Sequence, residues 1–320
     1  MAMKITVTSR LPGGQTERLA EAGHEVWIYE GEGAIPRETL LARATGANAL
    51  LTLLTDKVDE ELLAAAPGLK VVANYAVGYD NIDLAACRRH GVVATNTPDV
   101  LTEATADLTW ALLLAAARRV VEGHKMTEAG EYRGWGPHLL IGQDVGGATL
   151  GIFGTGRIGR AVAKRALGFG MRLIYTDVVS WPEGEAELDA ERVDFDTLLA
   201  ESDFLSLHVP LLAATAKIMD RAAFAKMKPT AVFVNAARGG LVDEEALCHA
   251  LTTGEIFAAG LDVYDPEPPD PANPLLSLPN VVLAPHTGSA SVASRAGMAR
   301  VAVENVLAVL AGQAPQTPVT

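Results

Sequence analysis

Gly154-Thr155-Gly156-Arg157-Ile158-Gly159 stands directly between an apolar run, Leu150–Phe153, and a helix-like stretch, Arg160–Leu167. Nothing else in this chain constrains its fold as tightly. Gly154 permits a sharp strand-to-helix turn, Gly156 lets the backbone approach an anion, and Gly159 lets the helix pack closely on the strand. The amides at the helix N-terminus then offer hydrogen bonds and positive potential to a pyrophosphate. A glycine turn alone also occurs in unrelated α/β proteins, so its context decides. Here the next strand-like run, Arg172–Tyr175, leads into Asp177, 23 residues after Gly154. A carboxylate there accepts hydrogen bonds from ribose hydroxyls and repels a 2′-phosphate. Strand, helix, spacing and carboxylate together predict dinucleotide binding. With no Arg or Lys in Val178–Trp181, they favour NAD over NADP.

The same alternation runs through the rest of the chain. Before residue 97, strand-like runs occur at Ile5–Thr8, Glu25–Tyr29, Ala49–Leu53, Lys70–Asn74 and Val92–Thr95, with helix-like segments such as Asp59–Ala66 and Leu84–Arg89 between them. A long helix-like stretch from Leu101 to Val121 follows, with Thr102 in its N-cap region. A second series then runs through Leu150–Phe153, Arg172–Tyr175, Phe204–Leu207, Ala231–Asn235, Phe257–Val263 and Val281–Ala284. Strands alternating with helices imply parallel sheets, because parallel neighbours need crossover connections. The expected fold is α/β, with two Rossmann-like doubly wound domains. One is expected over residues 100–287, and a discontinuous outer one over 1–99 and 288–320, completed by the helical stretch Val292–Leu310. A length of 320 residues suits two domains.

Composition narrows the class of function. The formal charge of −13, from 26 basic and 39 acidic side chains, opposes binding to nucleic acid or to an anionic membrane surface. No apolar run reaches the roughly 20 residues of a membrane span, and the opening MAMKITVTSR reads as a strand rather than an export signal. Cys87 and Cys248 are too few for a disulfide framework, which fits a cytoplasmic location. No His, Cys and Asp cluster has metal-ligand spacing, so no metal is expected.

Three ionisable residues follow strands of the second series. Arg238 lies just after Ala231–Asn235, Glu267 after Phe257–Val263, and His286 after Val281–Ala284. In an open parallel sheet, ligands bind beyond the carboxyl ends of the strands. The three residue types suit hydride transfer to a 2-oxo acid. Histidine supplies a proton of near-neutral pKa to the developing alkoxide, and a neighbouring carboxylate favours the charged ring. A guanidinium binds the substrate carboxylate and polarises its carbonyl. Taken singly, each is also compatible with a structural role, Arg238 by satisfying loop carbonyls and Glu267 as a solvated loop residue.

These motifs, with Asn74–Asp83, Asn96-Thr97-Pro98-Asp99, Leu101–Asp107 and Gly151–Gly170, resemble the D-isomer-specific 2-hydroxyacid dehydrogenases, and most closely their glyoxylate/hydroxypyruvate reductase branch. The resemblance covers nearly the whole chain. It implies His286 as proton donor, Glu267 as its partner and Arg238 as the substrate-orienting residue. It also implies a carboxylate cradle at the Val77 and Gly78 amides, with Leu54 beside the substrate. For the cofactor it implies contacts from the turn Gly154, Thr155, Gly156, Arg157, Ile158 and Gly159, from Asp177, and from Val209 and Pro210. Ala236, Asp262 and Gly288 would lie around the nicotinamide and Thr105 near the pyrophosphate, although a strand-end cap for Asp262 and an ordinary helix position for Thr105 stay open.

The loop Gly134-Trp135-Gly136-Pro137 resembles the family's dimerisation arm, so a homodimer is expected, with core packing of Trp135 as the alternative. The expected activity is NAD(P)H-dependent reduction of a small 2-oxo acid, glyoxylate or hydroxypyruvate. Two rivals share the scaffold. A phosphite dehydrogenase calls for a lysine where Val77 stands, and an NAD-sensing non-enzymatic corepressor would bind the cofactor without turnover.

Overall fold

The computed structural model describes residues 2–319. They form two compact units, one of residues 2–101 with 289–319 and the other Thr102–Gly288.

The first unit is built on a five-stranded sheet: β1 (Lys4–Val7), β2 (Glu25–Ile28), β3 (Ala49–Thr52), β4 (Val71–Asn74) and β5 (Val93–Thr95), in the order β2-β1-β3-β4-β5. Every pairing is parallel. Strands β3 and β4 are buried at all positions, which is why they read as continuous apolar runs rather than alternating ones. Two of its helices, Glu60–Ala65 and Leu84–His90, start where an aspartate caps them. Asp59 accepts from the Leu62 amide at 3.2 Å and Asp83 from the Ala86 amide at 2.8 Å. The helix Val292–Leu310 packs on β3, β4 and β5 with Met298, Ala302 and Val306 buried.

The second unit carries seven strands: β6 (Thr149–Phe153), β7 (Arg172–Thr176), β8 (Glu191–Arg192), β9 (Phe204–Leu207), β10 (Val232–Asn235), β11 (Ala258–Leu261) and β12 (Val281–Leu283). The order β12-β11-β10-β9-β6-β7-β8 is again wholly parallel. Side chains alternate between two apolar layers, as strand geometry requires. Phe233, Leu205 and Leu207 join Phe224 on one face, while Val232, Val234 and Phe204 join Trp110 and Val162 on the other. From β6 the chain turns to β7 on one side and later returns to β9 on the other. The carboxyl ends of β6 and β9 are therefore the topological switch point where such sheets bind ligands.

The strand ends differ from the sequence reading by one or two residues. Two differences are larger. The stretch expected as one helix from Leu101 to Val121 is two, Thr102–Ala117 and Val120–Glu128. They part at Arg119, whose backbone is left-handed at φ 53° while its guanidinium pairs with Glu122 at 2.6 Å. Strand β8 is two exposed residues with no apolar pattern, and no strand was expected there. No helix among the described residues is long and apolar enough to cross a membrane. Among those residues no group of three or more His, Cys, Asp or Glu is placed to hold a metal ion.

Candidate active site

The glycine turn sits at the switch point as an open anion cradle. Gly154 has a φ of 99°, and a Cβ there would collide with the backbone of His208 at the end of β9. A Cβ on Gly159 would fall on the Gly154 carbonyl oxygen, so these two glycines let the turn fold. Gly156 differs. A Cβ on it meets nothing within 4 Å, so the space in front of it is free for a ligand. The helix Arg157–Ala166 begins immediately after Gly156, and the amides of its first turn have no partner in the helix itself. A dinucleotide fits this donor set.

Asp177 closes the other end of the cradle. Its carboxylate accepts from the Thr155 amide at 2.6 Å, the Thr155 hydroxyl at 3.0 Å and the Val179 amide at 3.2 Å. Burial works against its charge, but these hydrogen bonds prevail and hold its pKa below the ordinary carboxylate value. The residue is therefore anionic near neutrality. His208 packs beside the turn with Nε2 2.8 Å from the Ser206 hydroxyl. Desolvation drives its pKa down and leaves it neutral, which suits packing rather than acid catalysis. Val209 and Pro210 follow at the end of β9.

Arg238, Glu267 and His286 follow β10, β11 and β12, three neighbouring strands, and so lie on one edge of the sheet. His286 Nδ1 is 2.5 Å from Glu267 Oε1, with the two side chains 25% and 31% exposed. The His286 backbone is left-handed at φ 53°, an uncommon state for a residue bearing a Cβ. Asp262 at the end of β11 over-determines that state. Its backbone carbonyl accepts from the His286 amide at 2.9 Å, and its carboxylate accepts from the Thr287 and Gly288 amides at 2.7 and 2.8 Å. Burial raises the Asp262 pKa against the pull of those amides and of His286. This is the capping role left open in the sequence reading, with the carboxylate directed at the histidine loop.

Arg238 donates from Nη1 to the Ala237 carbonyl at 2.7 Å, and its own carbonyl accepts from the Asn235 side chain at 2.8 Å. Its loop presses on the segment leading to Glu267, since a Cβ on Gly239 would overlap the Tyr264 carbonyl. Ala236 lies in the same β10 loop. Thr105 is buried, and its side chain lies beside Gly288, opposite Asp262. In the first unit, Leu54 follows β3 and Val77 and Gly78 follow β4, on adjacent strands. Trp135 is 84% exposed, which rules out the core-packing alternative for it.

Residues 110–288 match the family described as D-isomer specific 2-hydroxyacid dehydrogenase, NAD binding domain. The chain is 48% identical to a glyoxylate reductase of Thermococcus onnurineus over 99% of its own length and 96% of the relative's. It belongs to the D-isomer-specific 2-hydroxyacid dehydrogenases. Among solved structures, a Thermus thermophilus protein is 50% identical with a TM-score of 0.94, covering 99% of this chain and 100% of that one. An NADPH-dependent glyoxylate/hydroxypyruvate reductase of Sinorhizobium meliloti, solved with NADP and malonate, is 34% identical with a TM-score of 0.88, over 100% and 97% of the two chains.

For a member of this family, two site features escaped the sequence reading. Arg192, from β8, donates to the Asp177 backbone carbonyl at 2.8 Å, so a cation does stand next to Asp177. Arg192 lies beyond Val178–Trp181, on a two-residue exposed strand that carries no apolar pattern. The grip of Asp262 on the His286 loop was equally hidden, because its partners lie 25 and 26 residues away.

Proposed function

We propose that this dehydrogenase reduces glyoxylate or hydroxypyruvate to the corresponding 2-hydroxy acid, the D-isomer where the product is chiral. The observation that carries the reading is the His286–Glu267 contact on the sheet edge that also bears Arg238. The names of the similar reductases support the substrate class. Bound nicotinamide supplies the hydride to the carbonyl carbon. Glu267 holds the imidazole through Nδ1, which leaves Nε2 to pass a proton to the carbonyl oxygen as it becomes an alkoxide. Arg238 orients the carboxylate and polarises the carbonyl. Val77 and Gly78 offer amides to the carboxylate, and the apolar side chains of Leu54 and Val77 suit a short substrate.

In this reading the NAD-binding domain comprises residues 100–287, with the substrate-binding domain over 1–99 and 288–320. Asp177 favours NADH. Arg192 beside it is the observation that keeps NADPH as a second coenzyme. The enzyme acts in the cytoplasm, consistent with its two free cysteines, and as a homodimer whose contact includes the exposed Trp135, Tyr132 and Ile141. A steady-state panel of two- to four-carbon 2-oxo acids with NADH and NADPH tests the proposal. Oxidation of NADH with glyoxylate or hydroxypyruvate is the expected result. Binding of NADH with no turnover on any member would instead favour a non-enzymatic, corepressor-like role.

A further inference from the structure

The loop after β4 contains three consecutive carbonyls, each held by a donor from the same unit. Ala76 O accepts from the Thr97 amide at 2.9 Å. Val77 O accepts from Asn96 Nδ2 at 2.8 Å, and Gly78 O from Asn74 Nδ2 at 2.8 Å. In a trans peptide the carbonyl of one residue and the amide of the next point in opposite directions. Pinning Ala76 O therefore aims the Val77 N–H, and pinning Val77 O aims the Gly78 N–H. Both are turned away from the Asn96–Thr97 segment. Among the described residues neither amide donates a hydrogen bond within the chain, and both residues are half-buried. Two adjacent, unspent, partly desolvated amides with fixed directions form an anion-binding concavity.

The pinning groups are themselves anchored. Asn74 is fully buried at the end of β4, where its Oδ1 accepts from the Thr52 hydroxyl at 3.2 Å and from Asn81 Nδ2 at 3.3 Å. Asn81 Nδ2 also donates to the carbonyls of Leu53 and Asp56, at 3.1 and 2.8 Å, tying this loop to the one after β3. Asn96 is 8% exposed. Its carbonyl accepts from the Thr317 hydroxyl at 2.6 Å, and its amide donates to the Thr317 carbonyl at 3.2 Å. Thr317 is held in turn by Asn305, buried in the helix Val292–Leu310, whose Nδ2 donates to the Thr317 hydroxyl at 2.7 Å. The C-terminal segment thus braces the backbone of Asn96, whose side chain sets a peptide plane 19 residues away.

We infer that Asn96 is a positioning residue for the substrate carboxylate, acting through the peptide plane of Val77–Gly78 and so through the Gly78 amide. The inference rests on the proposed carboxylate cradle at Val77 and Gly78. Asn96 acts without touching the substrate: it removes the freedom of that peptide to rotate, so that the Gly78 amide needs no reorganisation when the anion arrives.

The test is made on the full-length enzyme with glyoxylate as substrate and oxamate, a 2-oxo acid analogue, as competing anion. Asn96→Asp keeps size and shape but replaces the donor by a carboxylate facing the Val77 carbonyl, while Asn96→Ala removes the group. Both are expected to raise the KM for glyoxylate and the Ki for oxamate about tenfold or more. NADH affinity should stay near wild type and kcat at saturating glyoxylate should fall by less than about threefold, while the unpaired Val77 carbonyl lowers Tm modestly. Unchanged oxamate binding in both variants overturns the inference. So does a loss shared equally by NADH affinity and Tm, which a general folding role would give. Gly78→Pro, which deletes one amide N–H outright, separates the two layers of the reading. If it leaves oxamate binding intact, the cradle itself is wrong and the positioning role goes with it. If it weakens oxamate while the Asn96 variants do not, the cradle stands and only the positioning role fails.

Discussion

His286 Nδ1 and Glu267 Oε1 lie 2.5 Å apart, joining the loops that follow two neighbouring strands, β12 and β11. With Nδ1 so engaged, only Nε2 is left to exchange a proton with a ligand. His286→Ala is therefore expected to lower kcat by roughly 10³-fold while NADH binding survives. Glu267→Gln, which keeps the shape but loses the charge, should cost on the order of 10²-fold. Stopped-flow turnover and NADH fluorescence titration read the two quantities separately. A His286→Ala enzyme with wild-type kcat would remove this residue from the proton-donor role.

The glycines of the turn should separate folding from binding. A methyl group at Gly159 would fall on the Gly154 carbonyl, so Gly159→Ala is expected to destabilise the protein by about 1–3 kcal/mol through overpacking. A methyl group at Gly156 meets open space, and Gly156 has a φ of −67°, which alanine adopts freely. Gly156→Ala should leave Tm unchanged and weaken NADH binding, because the methyl occupies the ground a pyrophosphate needs. Differential scanning calorimetry and a binding isotherm on the two variants check the contrast. Equal effects on Tm would contradict it.

Asp177 links cofactor choice to acid stability. Its folded pKa lies below the ordinary carboxylate value, so the ionised form is the one the fold favours. The stability it contributes is fully present above the unfolded pKa of about 3.9 and is lost as pH falls through the lower folded value. Asp177→Asn would place an amide group against the Thr155 and Val179 donors. It should lower Tm at pH 7, and the gap to wild type should shrink below about pH 4. A gap that stays constant from pH 7 to pH 3 would deny the linkage. The same variant should narrow the NADH preference over NADPH in kcat/KM, since Arg192 remains beside the site.

What could be read from sequence, and what could not, divides by distance along the chain. Strands β3 and β4, the glycine turn and the helix Val292–Leu310 each declare themselves in a contiguous pattern of apolar spacing or glycine placement. The order of residues after β10, β11 and β12 placed Arg238, Glu267 and His286 on one edge, because parallel topology puts every such loop on the same side. Arg192 meets Asp177 only through the pairing of β7 with β8, and no local pattern encodes that pairing. The break at Arg119 was hidden for another reason. A left-handed arginine leaves the alanine- and leucine-rich run before it undisturbed, and neither Gly nor Pro stands at the break.

Tyr132, Trp135 and Ile141 are 51%, 84% and 58% exposed, and in the proposed homodimer they would form the contact with the second copy. Size-exclusion chromatography with light scattering should give a dimer for the wild-type chain. The double variant Trp135→Ser, Ile141→Ser should shift it to the monomer with little change in secondary structure, since neither side chain packs in a core. A wild-type monomer at micromolar concentration would remove the dimer from the proposed function.

Asp262 offers the last test, because it grips the His286 loop at three points through the backbone amides of that loop. Its carbonyl receives the His286 amide, and its two carboxylate oxygens receive those of Thr287 and Gly288. Asp262→Asn preserves volume but can accept with one oxygen only, so one amide would face an NH2 group in a buried place. The left-handed backbone of His286, otherwise disfavoured, would lose the restraint that holds it. The expected result is a fall in kcat of about tenfold or more, short of the roughly 10³-fold fall expected when the imidazole itself is removed. Combining Asp262→Asn with His286→Ala should add almost nothing to the single His286→Ala defect, because both act through the same ring. Additive losses in that double-mutant cycle would place Asp262 in a role of its own and not in support of the proton donor.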